Sequence, residues 1–166
     1  MKSYQLTIPS NIYAGKSSID NLVNIITKEN VKSILVFTDK GVRAVGLCNK
    51  VEEICKTVQY RIIDDLTAEP AVADVERVIN EVGNTKYDLI IGVGGGSVMD
   101  ASKLASIILG ADYSLRDLLK DSSIAKKQIK TVMIPTTCGT GSEGNGFAVL
   151  TNPENGDKKS LRCNAI

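Results

Sequence analysis

The chain has 166 residues, 43% of them hydrophobic and 23% charged, proportions that suit one soluble domain with a sizeable core. Its 20 basic and 19 acidic residues leave a net charge of +1, which gives no electrostatic ground for a nucleic-acid or acidic-membrane partner. There is no histidine, so the commonest base at neutral pH and the commonest transition-metal ligand are both missing.

The opening MKSYQLTIPS lacks the apolar core of a signal peptide, and no apolar run in the chain is long enough for a bilayer. Tyr4–Ile8 alternates apolar and polar side chains, which predicts a strand, and Asn11–Gly15 continues as strand or turn. Over Ser18–Lys28, residues Ile19, Leu22, Val23, Ile25 and Ile26 form an apolar stripe at helical spacing. Ser33–Thr38 is a short apolar run typical of a strand buried on both faces, and Asp39, Lys40 and Gly41 end it. A helix or a pair of helices follows through Val42–Thr57, then a strand over Val58–Ile63. Pro70 and Ala71 open a helix over Val72–Val82, with Val75, Val78, Ile79 and Val82 on one face. Asp88–Val93 is the next buried strand, and Ser97–Leu109 is an unusually apolar helix. A polar stretch, Asp112–Lys130, holds a short helix around Leu115–Leu119, and Thr131–Ile134 is a strand. Phe147–Leu150 and Lys159–Leu161 read as a hairpin around Asn152–Asp157. The four cysteines, Cys48, Cys55, Cys138 and Cys163, form no Cys-x-x-Cys pair, and their expected state is reduced thiols in the cytoplasm.

Strands alternating with helices predict an α/β fold, a parallel sheet covered on both faces, with the hairpin added near the C-terminus. Such sheets bind ligands beyond the carboxyl ends of their strands. Asp39, the Gly94 run and the Thr136 run each follow a predicted strand and could share that rim, although strand order is not legible from the sequence.

Gly94-Gly95-Gly96-Ser97 lies between a buried strand and an apolar helix. Glycine permits positive φ and lets backbone approach a ligand without a Cβ in the way, and a helix N-terminus offers N–H donors that suit phosphate. A turn needs one glycine or two, so a run of three favours close approach by a ligand. The segment is neither a P-loop, as no Gly-Lys-Ser/Thr follows, nor a strict dinucleotide fingerprint, as Ser97 occupies the third glycine position. Ser97 and Asp100 fit a capping box, with Asp100 alternatively touching the ligand. Lys103, one turn further on, pairs with Asp100 or reaches for the ligand.

The second stretch, Pro135-Thr136-Thr137-Cys138-Gly139-Thr140-Gly141-Ser142-Glu143-Gly144, contains a literal G-x-G-x-x-G that imitates a kinase loop. It follows some four βα units, and no V-A-I-K, H-R-D or D-F-G accompanies it, so the kinase reading fails. What survives is a loop of backbone donors and hydroxyls suited to a nucleotide cleft.

Together, GGGSVMDASK at Gly94–Lys103 and IPTTCGTGSE at Ile134–Glu143 resemble the two long motifs of the iron-dependent (group III) alcohol dehydrogenase family, in the same order and spacing. Thr38-Asp39-Lys40 and Glu69-Pro70 fit its pattern too, and the resemblance covers essentially the whole chain. It implies that residues 1–166 are a Rossmann-like dinucleotide-binding domain. The family's C-terminal helical domain, which carries iron or zinc through one aspartate and three histidines, would be absent here, and the missing histidines would belong to it. Carried over residue by residue, the resemblance puts Gly95, Gly96 and Ser97 on the diphosphate, with Asp100 beside them. Thr136, Thr137, Thr140 and Ser142 would lie along the cofactor, the last two towards the nicotinamide. Phe147 would border the adenosine or ribose region, and Lys159, or Lys158 as its alternative, would stand near the cofactor. Asp39 at a strand end can accept from ribose hydroxyls and repel a 2′-phosphate, favouring NAD over NADP; its plainer role is a turn or helix cap.

The implied parent is a cytoplasmic, homo-oligomeric enzyme that transfers hydride between NAD(H) and a small alcohol or aldehyde, with these 166 residues inactive alone. The alternatives are an enzyme like dehydroquinate synthase or glycerol dehydrogenase, or a non-catalytic nucleotide-binding module. Two departures from the family pattern, Cys138 and Gly144-Asn145-Gly146, fall near the expected nicotinamide and substrate region. Cys138 is read as a small buried residue.

Overall fold

Strand β3, Leu89–Gly94, is buried at every position, and it forms the centre of a four-stranded parallel sheet in order β2-β1-β3-β4. In this computed structural model, residues 9, 11–67, 71–151 and 156–162 are described. The other strands are β1 (Ser33–Phe37), β2 (Gln59–Ile63) and β4 (Lys130–Pro135). Register runs Ser33 to Gln59, Ile34 to Leu89 and Leu89 to Lys130. The parallel α/β architecture predicted from the sequence is therefore present.

Alternation along the strands sorts the core into two layers. Ile34 and Val36 of β1, with Leu89, Ile91 and Val93 of β3, pack on helices α1 (Asn21–Lys28) and α3 (Asn49–Cys55). Leu35, Phe37 and Ile90 face the other way, onto α4 (Val72–Val82) and α5 (Gly96–Ile108). A third layer covers the far side of α5: α6 (Leu115–Lys120) and an antiparallel hairpin of β5 (Phe147–Thr151) and β6 (Lys158–Arg162). That double cover explains why every residue from Val98 to Ile108 is buried and why the helix reads as apolar all round.

The differences from expectation are local. Asn11–Gly15 forms no strand; it runs irregularly into a turn at Gly15, where φ is +114°. Ser18–Lys28 divides into a 3-10 turn over Ser18–Asp20 and then α1. The Val42–Thr57 region is two helices, and the first, α2 (Lys40–Ala44), begins two residues early because Asp39 caps it. The expected strand at Tyr4–Ile8, the Glu69-Pro70 pair and most of the hairpin turn lie outside the described residues.

The N-terminal edge of the sheet is latched by Asp88. Its Oδ2 accepts from the backbone N–H groups of Lys32 at 2.8 Å and Ser33 at 2.9 Å, and from the Ser33 hydroxyl at 3.1 Å. These donors hold its carboxyl below the usual range, the Lys32 N–H contributing most.

Candidate functional site

Strand order reverses between β1 and β3: β2 follows β1 on one side, and β3 and β4 lie on the other. In open α/β sheets that reversal leaves a crevice beyond the carboxyl ends of the strands. A cleft of about 570 Å³ opens there, and residues just past all four strands line it. Asp39–Val42 follow β1, Asp64–Thr67 follow β2, Gly95–Val98 follow β3, and Thr136 and Thr137 follow β4. The sequence-predicted Asp39, Gly95, Gly96, Ser97, Thr136 and Thr137 thus share one wall system. The Asp64–Thr67 wall was missed; its signal was only its position after a predicted strand, without a glycine to draw attention.

The floor of the cleft is the start of α5. Gly95 is its N-cap in extended conformation, φ −80° and ψ −171°, and no side chain caps the helix. By its geometry, an α-helix leaves its first-turn N–H groups without intrahelical acceptors, so this end is suited to an anion. Ser97 is therefore the second helical residue rather than the cap, and the expected Ser97–Asp100 capping box does not form. The helix starts one residue earlier, at Gly96, and the glycines serve close contact rather than unusual φ. A methyl group at Gly94 would stand 2.7 Å from the Val98 side chain, and one at Gly92 would stand 2.6 Å from the Ser102 hydroxyl. None of Gly92, Gly94, Gly95 and Gly96 has a positive φ. Two of the glycines thus let α5 lie close on β3. The other two face the second loop: a methyl at Gly95 would be 3.1 Å from Thr137 Oγ1, and one at Gly96 3.4 Å from Ser142 Oγ.

The second loop begins as a continuation of the sheet, with the Thr136 N–H donating to Gly94 O at 2.9 Å. It then turns through left-handed backbone at Gly139 (φ +88°) and Gly141 (φ +66°). Thr140 and Ser142 lie over Gly96, outside the lining of the cleft itself. Cys138 is exposed on this loop, not buried as expected. Among the described residues the buried thiols are Cys48 and Cys55, which burial pushes up to about 11 and about 12.

Asp100 is directed away from the cleft. Its Oδ2 accepts from the Val149 N–H of β5 at 3.0 Å. Its Oδ1 stands 3.0 Å from Lys103 Nζ, an ion pair without hydrogen-bond geometry. Of the two readings of Lys103, pairing with Asp100 is the one observed. The same ammonium donates to Ser142 O at 3.0 Å, to Asn145 Oδ1 at 3.3 Å and to Phe147 O.

Asp39 does cap a helix: its Oδ1 accepts from the Val42 N–H at 2.8 Å while the residue borders the cleft. Its surroundings are acidic. Asp64 and Asp65 line the same end, and the nearby Arg43 is engaged by Glu52 at 2.8 Å and Asp64 at 2.6 Å. Those carboxylates hold the guanidinium even further into its charged range.

The hairpin separates the two residues expected on it. Cross-strand partners in an antiparallel pair share a face. Lys159 pairs with Leu150 on the face turned to α6, where it lines a smaller cleft of about 250 Å³ with Leu118 and Leu119. Phe147 pairs with Arg162 on the opposite face, with the guanidinium carbon 5.3 Å from the ring centre. Lys158, opposite Thr151, shares that second face, so the alternative lysine is the one on the side of Phe147.

The family model of the iron-containing alcohol dehydrogenases matches residues 9–166. The chain belongs to this family. Among its relatives in the iron-containing alcohol dehydrogenase family, the long-chain-alcohol dehydrogenase 1 of Geobacillus thermodenitrificans is 33% identical over 156 residues, 91% of this chain and 40% of that protein. The NADH-dependent butanol dehydrogenase A of Clostridium acetobutylicum is 27% identical, over 95% of this chain and 41% of its own length. The crystal structure of the iron-containing alcohol dehydrogenase of Thermotoga maritima superposes with a TM-score of 0.87 at 30% identity, covering 96% of this chain and 45% of that one. The chain thus spans about 40% of the length of these curated relatives. Among the described residues no group of three or more His, Cys, Asp or Glu side chains could hold a metal ion, and no helix is long and apolar enough to cross a membrane.

Proposed function

We propose that this chain is the NAD-binding domain of a metal-dependent alcohol dehydrogenase or aldehyde reductase. The observation that carries the reading is the convergence of all four strand ends on one cleft whose floor is an uncapped helix N-terminus. Gly95 and Gly96 admit the diphosphate, because no Cβ stands between it and the first-turn amides of α5. Asp39, beside Asp64 and Asp65, accepts from the adenosine ribose and disfavours a 2′-phosphate. Thr136 and Thr137 border the chain of the cofactor as it leaves the diphosphate. Phe147 and Lys158 stand on the hairpin face away from α6, while Asp100 acts through Lys103 and β5 rather than on the cofactor.

The nicotinamide, when bound, supplies the hydride chemistry. The chain's own contribution is to bind and aim it. The described residues do not fit the iron of the family name, as no group of three or more His, Cys, Asp or Glu side chains converges among them. Names of relatives such as long-chain-alcohol and butanol dehydrogenase support a small to long-chain alcohol or aldehyde as the substrate of the whole enzyme.

Titration calorimetry of the chain with NAD, NADP and ADP tests the reading. NAD and ADP bind, and NADP binds about tenfold more weakly. A folded chain that binds none of them overturns the proposal. NADH-dependent aldehyde reduction by these 166 residues alone would overturn the division of labour.

A further inference from the structure

Lys103 is 3% exposed, in the middle of a helix buried on all sides. A buried ammonium persists only where oxygens replace its water. Here they come from one carboxylate and one loop: Asp100 Oδ1 at 3.0 Å, Ser142 O at 3.0 Å, Asn145 Oδ1 at 3.3 Å, Asn145 O at 3.5 Å and Phe147 O. Three of these are backbone carbonyls, so the lysine holds the shape of the loop rather than a particular side chain. Asn145 completes the fold of that loop: its amide donates to Gly141 O at 2.7 Å and its Oδ1 accepts from the Phe147 N–H at 2.9 Å.

Gly96, Asp100 and Lys103 follow one another at i, i+4 and i+7, so they line one face of α5. All three meet the same segment. Gly96 lies under Thr140 and Ser142, Asp100 holds Val149, and Lys103 holds Ser142 to Phe147. Side chains on a helix lean towards its N-terminus, which carries the Lys103 ammonium back up to the loop. The acidic residues Asp39, Asp64 and Asp65 border the same cleft as Gly96.

We propose that Lys103 is a positioning residue that sets the Thr137–Phe147 loop over the N-terminus of α5, and so governs binding of the cofactor half beyond the diphosphate. The proposal rests on the reading of the cleft as an NAD site. The partners named for Lys103 are Asp100 and the loop from Ser142 to Phe147, so its removal is expected to leave the ADP half of the site intact.

The test compares the unsubstituted chain with Lys103→Met, which keeps length and loses charge, and with Asn145→Ala, which removes one acceptor of the ammonium together with the side chain's own bonds to Gly141 and Phe147. NAD affinity falls about tenfold in Lys103→Met while ADP affinity stays within about twofold, a split that general destabilisation does not produce. Amide exchange over residues 141–147 accelerates about tenfold without nucleotide, while the β3 amides keep their protection. Asn145→Ala shows the same split between NAD and ADP more weakly, and if Lys103→Met does not fold, the absence of that split in Asn145→Ala overturns the proposal. Equal losses for NAD and ADP, or unchanged exchange in the loop, overturn the proposal. If the unsubstituted chain binds no NAD, the cofactor reading fails alone, because the exchange comparison still decides whether Lys103 holds the loop.

Discussion

The two glycine-rich stretches end adjacent strands of one sheet, yet they use glycine for opposite reasons. In Gly92–Gly96 the backbone is ordinary and the missing Cβ is what matters, with Val98, Ser102 and the second loop pressed against the vacant positions. At Gly139 and Gly141 the space is open and the left-handed backbone is what matters. The first stretch is therefore a rigid floor defined by packing. The second is an exposed loop defined by turn conformation and held from beneath by Lys103. Glycine count alone conceals that difference.

The comparison breaks most visibly at Gly94. Gly94→Ala places a methyl 2.7 Å from Val98 and costs about 1–3 kcal/mol in urea unfolding, part of it recovered in the double variant with Val98→Ala. No recovery would mean that the Val98 γ-methyls are not what excludes a side chain at Gly94, leaving the Val98 Cβ, also at 2.7 Å. At Gly141 the rule inverts. Alanine there has room, 3.7 Å from Asn145 Nδ2, but adopts φ +66° at a cost of about 1–2 kcal/mol, and Gly141→Asn is tolerated better because asparagine enters that region more readily. Equal stability of the two variants would remove the conformational account.

Asp39→Asn probes the far end of the cleft, away from both runs. The amide oxygen can still cap α2, so stability changes little, while NADP binding measured by calorimetry strengthens about fivefold relative to NAD. An unchanged ratio would assign the discrimination to Asp64 and Asp65 instead. The smallest effect is expected at the opposite end of β3, where Asp88 latches the sheet. Its folded pKa is depressed, so its contribution is complete above the unfolded value of about 3.9 and is lost as pH falls through the lowered folded value. Asp88→Asn removes that part of the acid sensitivity, about 0.5–1 kcal/mol for an exposed carboxylate, and leaves the glycine runs untouched.

Most of the fold was legible because its cause is periodicity. Val72–Val82 matches α4 end to end, and the buried strands at Ser33 and Asp88 stood out as short apolar runs. What depended on partners far along the chain was not legible. That α5 starts at Gly96 rather than Ser97, and that Gly94 fits against Val98, are matters of contact and not of propensity. Asp100 looked like a cap from its spacing, and only the placement of β5 above α5 shows where its carboxylate goes. Lys159 and Lys158 are neighbours in sequence, and the hairpin register puts them on opposite faces. Of the cleft walls, those with glycine or an aspartate after a strong strand were visible, while Asp64–Thr67 followed a weaker, half-buried strand and passed unnoticed.

The cover over α5 also has a consequence in time. Leu104, Ile107 and Ile108 pack against Ala148, Leu150 and Leu161, which the ribosome makes later. At ~5–20 residues per second, a nascent chain carries that greasy helix flank without its hairpin cover for a few seconds after α4 and α6 are made. Over that interval the newborn protein is open to chaperones and to self-association, and translation through the β5–β6 codons ends it.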